Sequence, residues 1–149
     1  MTVVIGSDHG GFELKKALMK HLTERGIAYC DVGTYTENSC DYPDYGKLVA
    51  DKVISGEYDF GIAICGTGVG ISITANKVKG IRAALCTDCF TAEATRQHND
   101  ANVLCLGGRV VGKDLAVKIM DTFLDTPFSN DERHIRRINK IKEIEDERG

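Results

Sequence analysis

The chain has 149 residues, with 19 Lys and Arg against 22 Asp and Glu, so its formal net charge is −3. Hydrophobic residues make up 42% and charged residues 28%, which is typical of a folded domain and excludes a disordered chain. The small acidic excess argues against nucleic acid as a partner, and the longest apolar runs, such as residues 60–65, are too short to cross a membrane. We therefore predict a single domain over residues 1–149, with neither nucleic-acid nor membrane partners.

Apolar, strand-like runs alternate with helix-like stretches along the chain. Strands are predicted at residues 3–7, 28–32, 61–65, 82–86 and 103–106. Helices are predicted at residues 12–25, 43–55, 70–78, 91–97 and 113–124. The second of these helices is expected to bury Leu48, Val49, Val53 and Ile54. The alternation is typical of an α/β fold with a five-stranded parallel sheet and helices on both faces.

The C-terminal segment, residues 126–149, has a different composition. Four isoleucines at helical spacing form the apolar stripe of an amphipathic helix: Ile135, Ile138, Ile141 and Ile144. Residues 133–142 hold five Lys or Arg and no acid, which in most proteins is a solvated helix face. Arg133 and Arg137, however, share a face at i and i+4, so they can bind one phosphate together. The neighbouring His134 is expected to be structural, and the stripe suggests a second subunit.

Six cysteines could form a disulfide framework, but a chain of this length does not need one to fold. Cys86 and Cys89 form a C-x-x-C motif, which can serve redox or zinc chemistry. Neither a second such motif nor a His pair at ligand spacing accompanies it, so no metal is predicted. The thiols are expected to be reduced, as in a cytoplasmic protein.

The sharpest motif is Cys65-Gly66-Thr67-Gly68-Val69-Gly70, which follows the third predicted strand. Alternating glycines allow the backbone to turn tightly and to point several N–H groups inward, and the next helix adds its positive end. Such a loop can bind a phosphate or an oxyanion that forms during a reaction. It also resembles the dinucleotide motif G-x-G-x-x-G, but the third glycine comes one position early and the loop does not follow the first strand. A dinucleotide cofactor is therefore disfavoured.

Polar side chains near this loop are candidates for catalysis. Cys65 precedes the glycines, and a thiol that faces backbone N–H groups ionises more readily than an ordinary buried one. His9 follows the first strand and His98 ends the fourth helix, and we expect both to converge on the same crevice. His21, in the middle of a helix, has no such context. The run 41–44 is either a helix N-cap or part of the binding edge.

These residues alone leave more than one function open. One is an enzyme that acts on a phosphorylated or otherwise anionic substrate, with an activated Cys65 beside the anion-binding loop. A second is a Cys–His hydrolase with Cys65 as the nucleophile, although no third residue clearly orients His98. A third is a nucleotide-binding or regulatory module without catalysis, which would leave Cys65 and His98 unexplained.

Seven motifs in order, over essentially the whole chain, resemble the type B ribose-5-phosphate isomerases. They are G-S-D-H-G-G (6–11), D-Y-P-D-Y (41–45), I-C-G-T-G-V-G-I-S-I (64–73), A-N-K (75–77), R-Q-H-N-D-A-N-V-L (96–104), G-G-R (107–109) and R-H-x-x-R (133–137). The resemblance implies a Rossmann-like three-layer α/β/α sandwich that forms homodimers, in some cases paired into tetramers, and works without metal or cofactor. It implies conversion between ribose 5-phosphate and ribulose 5-phosphate in the pentose phosphate pathway. Because the wider family includes galactose-6-phosphate and allose-6-phosphate isomerases, activity on allose or its 6-phosphate is a further expectation.

The resemblance also implies residue roles. Cys65 matches the general base that moves a proton between C1 and C2 through an enediolate, and His98 matches the acid that opens the furanose ring. The enediolate would be held by Thr67 and the loop amides of Gly66, Gly68, Val69 and Gly70. Sugar contacts would come from Asp8, Tyr42 and Asn99, and phosphate contacts from His9, Arg109, Arg133 and Arg137. One branch of the family has a Glu base where this chain has Ile71, so the chain resembles the cysteine branch.

Overall fold

The computed structural model of the protein describes residues 1–148. Its strands are β1 Thr2–Ser7, β2 Ala28–Asp31, β3 Phe60–Cys65, β4 Ala83–Leu85 and β5 Val103–Gly107. Its α-helices are α1 Phe12–Glu24, α2 Tyr42–Ile54, α3 Val69–Ala75, α4 Cys89–Asn99, α5 Lys113–Asp125 and α6 Glu132–Arg148, and a short 3₁₀-helix spans His9–Gly11. Within these described residues, no helix is both long and apolar enough to cross a membrane. Gly149, the last residue of the predicted domain and tail, lies outside them.

The five strands form one parallel sheet in the order β2-β1-β3-β5-β4, so the predicted sheet is confirmed. Ser7 is level with Ile64, and Cys65 is level with Gly107. The carboxyl ends of β1, β3 and β5 therefore lie side by side at one edge of the sheet. A helix that joins two parallel strands returns the chain to the opposite, amino edge.

Helices cover both faces of the sheet and divide the core in two. On one face, Leu18 of α1 and Phe123 of α5 belong to the same buried cluster as Ile5. On the other face, Val49 of α2 belongs to the buried cluster that contains Val4. Val4 and Ile5 contribute to different halves because successive strand residues point to opposite faces. This is the expected Rossmann-like three-layer α/β/α sandwich.

Two details of the predicted helices are wrong. In α2, Val49 is buried as expected, but Leu48 and Ile54 are exposed. These two residues are each one position away from the buried stripe, and each step along a helix turns a side chain by about 100°. Helix α4 begins earlier than predicted, because the Asp88 carboxylate accepts a hydrogen bond from Thr91 N at 2.7 Å and caps it.

Helix α6 lies near the amino edge of the sheet and leaves most of its apolar stripe uncovered. Its Glu145 carboxylate accepts a hydrogen bond at 2.9 Å from Gly80 N, in the segment that leads into β4. Ile138 is buried against the rest of the chain. The other members of the stripe are exposed by 41%, 47% and 57%, at Ile135, Ile141 and Ile144 respectively. A helix with such a face is suited to packing on a further surface.

Candidate active site

The loop after β3 holds Cys65 beside a backbone N–H group. The Cys65 side chain is buried, and Gly68 N donates a hydrogen bond to its Sγ at 3.1 Å. Gly68 has a φ of +80°, which favours glycine, and a Cβ there would lie 2.8 Å from the Leu106 carbonyl carbon. At the start of α3, Val69 N donates to Thr67 Oγ1 at 3.2 Å. The predicted turn with inward N–H groups is therefore present.

The loop after β5 is joined to this glycine loop by backbone hydrogen bonds. Gly108 N donates to Cys65 O at 2.8 Å, and Arg109 N donates to Gly66 O at 2.9 Å. The Arg109 guanidinium lies against the same loop, since its Nη1 is 3.1 Å from the point where a Cβ on Gly66 would stand. A fixed positive charge therefore adjoins the N–H groups, which suits an anionic ligand.

The loop after β1 completes this side of the site. Asp8 is buried, and its carboxylate accepts a hydrogen bond from Gly11 N at 3.1 Å, which caps the 3₁₀-helix. Gly10 lies so close to the glycine loop that an added Cβ would be 3.0 Å from Gly66 N. Asp8, as predicted, lies at the carboxyl edge with Cys65, and its side chain also stabilises the start of the 3₁₀-helix.

His9 has a partner that the sequence did not indicate. Cys40 N donates a hydrogen bond to His9 Nδ1 at 3.2 Å, and the Cys40 thiol lies 3.9 Å from the same nitrogen. A backbone N–H can only donate, so Nδ1 is the acceptor and Nε2 carries the proton of the imidazole. His9 can therefore donate a hydrogen bond to a ligand through Nε2. No spacing rule would have paired residues that are so far apart in the chain.

Tyr42 approaches the glycine loop from α2. Its ring carbons would lie 2.6 Å from a Cβ on Gly70, so the ring rests on the backbone at the start of α3. Asp41 occupies the N-cap position of α2, but its side chain makes no capping hydrogen bond. The binding-edge interpretation of residues 41–44 is therefore favoured over the N-cap interpretation.

The other predicted residues gather in a second cluster. A cleft of about 390 Å³ is lined by His98, Asn99, Arg133, His134, Arg137, Ile138 and Ile141. Arg133 and Arg137 thus line one cleft, as their spacing predicted. In α4, Thr95 Oγ1 donates to Asn99 Oδ1 at 3.0 Å. We call the residues that line this cleft the helix-end cluster, and we call the loops at residues 8–11, 65–70 and 107–109 the glycine cradle.

Within one chain, the helix-end cluster and the glycine cradle lie at opposite edges of the sheet. His98 and Asn99 end a helix that leads into the amino end of β5, whose Val103 is level with Gly61. Cys65 is four positions after Gly61 along β3, which at about 3.3 Å per residue is about 13 Å. The expectation that His9 and His98 converge is therefore wrong for a single chain, because His9 follows the carboxyl end of a strand, whereas the carboxyl end of helix α4 lies at the opposite edge of the sheet.

Comparison with known proteins identifies the family. The model of the Ribose/Galactose Isomerase family matches residues 3–141. The chain belongs to this family. It is 49% identical over 146 residues to ribose-5-phosphate isomerase B of Escherichia coli K12, covering 98% of this chain and 97% of that protein. The resemblance to type B ribose-5-phosphate isomerases is therefore confirmed, and the protein is an isomerase.

Solved structures of relatives have the same fold. The structure of Clostridium thermocellum ribose-5-phosphate isomerase B has a TM-score of 0.98 and 54% identity, with 100% of both chains covered. That of Mycoplasma genitalium ribose-5-phosphate isomerase B, with bound ribulose-5-phosphate, has a TM-score of 0.93 and 47% identity, covering 98% of this chain and 97% of that one. At this similarity, the Rossmann-like arrangement is shared over the full length of the family domain.

Two other cysteines of this isomerase, Cys105 and Cys86, are also buried. Burial raises the pKa of the Cys105 thiol and, with less effect, that of Cys86, so both stay protonated at neutral pH. The three other cysteines, Cys30, Cys40 and Cys89, are half-buried, and all six are unpaired. In residues 1–148, no group of three or more His, Cys, Asp or Glu side chains could hold a metal ion. Cys65 is thus the buried thiol with a backbone N–H donor.

Proposed function

We propose that the protein interconverts D-ribose 5-phosphate and D-ribulose 5-phosphate, an aldose–ketose isomerisation of the pentose phosphate pathway. Family membership and 49% identity to the Escherichia coli ribose-5-phosphate isomerase B support this substrate pair. The ribulose-5-phosphate bound to the Mycoplasma genitalium relative also supports it. The observation that carries the proposal is the Cys65 thiol, which accepts a hydrogen bond from Gly68 N inside a glycine loop next to Arg109.

Cys65 is the general base in this proposal. Its thiolate removes the proton from C2 of the open-chain aldose, the carbonyl oxygen on C1 takes the negative charge, and an enediolate forms. Return of the proton to C1, together with transfer of the hydroxyl proton from O2 to O1, produces the ketose. The step gains and loses no atoms or electrons, so it needs a base and an oxyanion site only.

The glycine cradle supplies the oxyanion site. The backbone N–H groups and Thr67 are fixed before substrate arrives, because Gly68 stands at a φ of +80° and the loop is bonded to residues 107–109. Donors that need no rearrangement stabilise a developing charge most effectively.

The helix-end cluster supplies the remaining groups. His98 donates a proton to the ring oxygen when the furanose opens, and Asn99 contacts the sugar. Arg133 and Arg137 hold the phosphate together with Arg109 and His9. Because the cradle and this cluster lie at opposite edges of one chain, the proposal places the cluster of one subunit over the cradle of another.

An uncovered apolar surface supports a homodimer. A groove of about 690 Å³ lies between α6 and the edge strand β4, and its apolar lining includes Ile81, Ala83, Ala84, Ala101, Ile141 and Ile144. Residues 126–148 are then a tail that serves both dimerisation and phosphate binding. A second copy of the chain is the occupant that covers this groove and also completes the active site. Pairing of dimers into tetramers is a further part of the proposal.

Replacing Cys65 tests the proposed base. Cys65→Ala is expected to abolish conversion of ribose 5-phosphate, and also to abolish exchange of the C1 hydrogen of ribulose 5-phosphate in D₂O, because both need the same base. Cys30→Ala, which removes a half-buried thiol outside the site, is the matched control and should retain both activities. Retention of either activity by folded Cys65→Ala protein would remove Cys65 from this role.

Substrate range is tested separately. The family resemblance extends the proposal to allose or its 6-phosphate. Comparison of kcat/KM for ribose 5-phosphate, allose 6-phosphate, galactose 6-phosphate and free allose tests it directly. A preference for a six-carbon substrate over ribose 5-phosphate would contradict the proposed main function.

A further inference from the structure

The ring of His134 packs against the ring of His98. The centroids of the two imidazoles are 4.5 Å apart and their planes are tilted by 38°. The two side chains come from different helices, α4 and α6, and His134 is only 6% exposed. This contact ties the C-terminal helix to the end of α4, at the residue proposed to open the sugar ring.

Ser129 holds both members of this pair. Its hydroxyl is 2.7 Å from His134 Nδ1, and the same oxygen accepts a hydrogen bond from Asp131 N at 3.1 Å. Its backbone N–H donates to the Gln97 carbonyl at 3.2 Å, one residue before His98. One residue therefore fixes the ring that packs on His98 and the backbone that carries His98.

Arg96 holds the same backbone from the other side. The buried guanidinium of Arg96 donates to the Ala101 carbonyl at 2.6 Å and to the Asp100 carboxylate at 2.9 Å. It also donates to the Thr126 carbonyl at 3.2 Å, in the segment that leads to Ser129. The backbone at the end of α4 is thus fixed on both sides of His98, which leaves the His98 side chain to be oriented by its neighbour.

We propose that His134 is a positioning residue, which holds the His98 imidazole in the orientation needed to protonate the sugar ring, with Ser129 fixing His134 in turn. This inference rests on the proposed role of His98 as the ring-opening acid. His134 need not contact the sugar itself. A proton donor is effective only when its heavy atom reaches the acceptor at hydrogen-bond distance. A misoriented His98 imidazole would therefore open the sugar ring more slowly.

The charges around His134 suit this role. Burial lowers the pKa of His134, and His98 on α4 and Arg133 and Arg137 on its own helix lower it further, while Asp131 opposes them. His134 is therefore neutral at neutral pH. A neutral His134 ring adds no positive charge beside the His98 imidazole.

Two reactions of the same active site separate this role from a structural one. Ribose 5-phosphate must open its ring before isomerisation. Ribulose 5-phosphate is open, because the oxygen on C5 that would close its furanose ring carries the phosphate. Exchange of its C1 hydrogen in D₂O therefore reports on Cys65 without ring opening. If His134 only positions His98, its loss should slow the turnover of ribose 5-phosphate and leave the rate of C1 hydrogen exchange unchanged.

The test uses His134→Leu, His134→Phe and Ser129→Ala in the full chain. His134→Leu is expected to lower kcat/KM for ribose 5-phosphate by about 10- to 100-fold, as for a misplaced catalytic group, with C1 exchange nearly unchanged. His134→Phe keeps an aromatic ring against His98 and should recover most of the loss, and Ser129→Ala should fall between the two. His21→Leu removes a helical histidine that pairs with Asp121, and it serves as the matched control with unchanged kinetics.

A double variant shows whether His134 acts through His98. His98→Asn with His134→Leu should be no slower on ribose 5-phosphate than His98→Asn alone, because a positioning residue has nothing left to position. Additive losses, equal losses in turnover and C1 exchange, or a raised KM for both sugars would overturn the inference and indicate a structural or phosphate-binding role. If His98→Asn itself turns over ribose 5-phosphate normally, the proposed role of His98 fails instead, and the two failures are thus distinguishable.

Discussion

Complementation between two inactive variants tests whether the active site is built from two subunits. The first variant, Cys65→Ala, loses the base of the glycine cradle. The second, His98→Asn, loses the acid of the helix-end cluster. In one chain the two clusters lie at opposite edges of the sheet, with about 13 Å along the strands between Gly61 and Cys65 alone. If each site combines the cradle of one subunit with the cluster of its partner, a mixed dimer has one wholly defective site and one wholly intact site.

The expected magnitude follows from this geometry. Random pairing of equal amounts makes about half of the dimers mixed, so about a quarter of the normal number of sites is restored. Co-expression with two different affinity tags allows the mixed dimer to be purified. Its kcat for ribose 5-phosphate should then be about half of that of the native dimer, with an unchanged KM.

A matched pair of variants provides the control. Cys65→Ala and Arg109→Ala both alter the glycine cradle, so no site in their mixed dimer is intact, and its activity should not exceed the mean of the two parents. A mixed Cys65→Ala and His98→Asn dimer that is as inactive as its parents would refute the shared site. It would mean that the two groups act within one chain after a rearrangement, or that one of them has no catalytic role.

Two further predictions concern stability and pH. Gly68→Ala should destabilise the fold by about 1–2 kcal/mol, measured by urea unfolding, because alanine at a φ of +80° is strained and its Cβ would meet the Leu106 carbonyl carbon at 2.8 Å. Gly26→Ala, with φ of +70° but open space, should cost less, and equal losses would contradict the contact argument. Because the pKa of His134 is lowered from 6.5, the unfolded chain takes up its proton first, and stability should fall as the pH drops below about 6.5. His134→Phe should flatten this part of the pH–stability curve, and an unchanged curve would assign it to other groups.

The glycine cradle was predictable because its parts are local in sequence. The run 65–70 specifies its own backbone conformation, and each of the three contributing loops directly follows a strand. Once a parallel sheet is predicted, the ends of its central strands must meet at one edge. Asp8, Cys65 and Arg109 therefore could be assigned to one place without any coordinates.

The contacts of the histidines were not predictable in the same way. The hydrogen bond from Cys40 N to His9 and the packing of His134 on His98 join residues with no sequence relationship. They depend on how a loop and a terminal helix return over the sheet. His98 was correctly predicted at the end of the fourth helix, but that end was wrongly expected to lie beside the strand ends, because the sequence does not show at which edge of the sheet a polar segment lies.

The sequence by itself determined the family, the order of strands and helices, and the chemistry of each residue, because these depend on local pattern and residue type. Tertiary structure alone decided which residues share a side of the molecule. It separated Cys65 from His98, left the isoleucines of α6 exposed, and brought His134 and Ser129 to the end of α4. The physical reason is that burial and long-range packing are properties of the whole folded chain, whereas spacing along the sequence reports only on neighbours within a few turns.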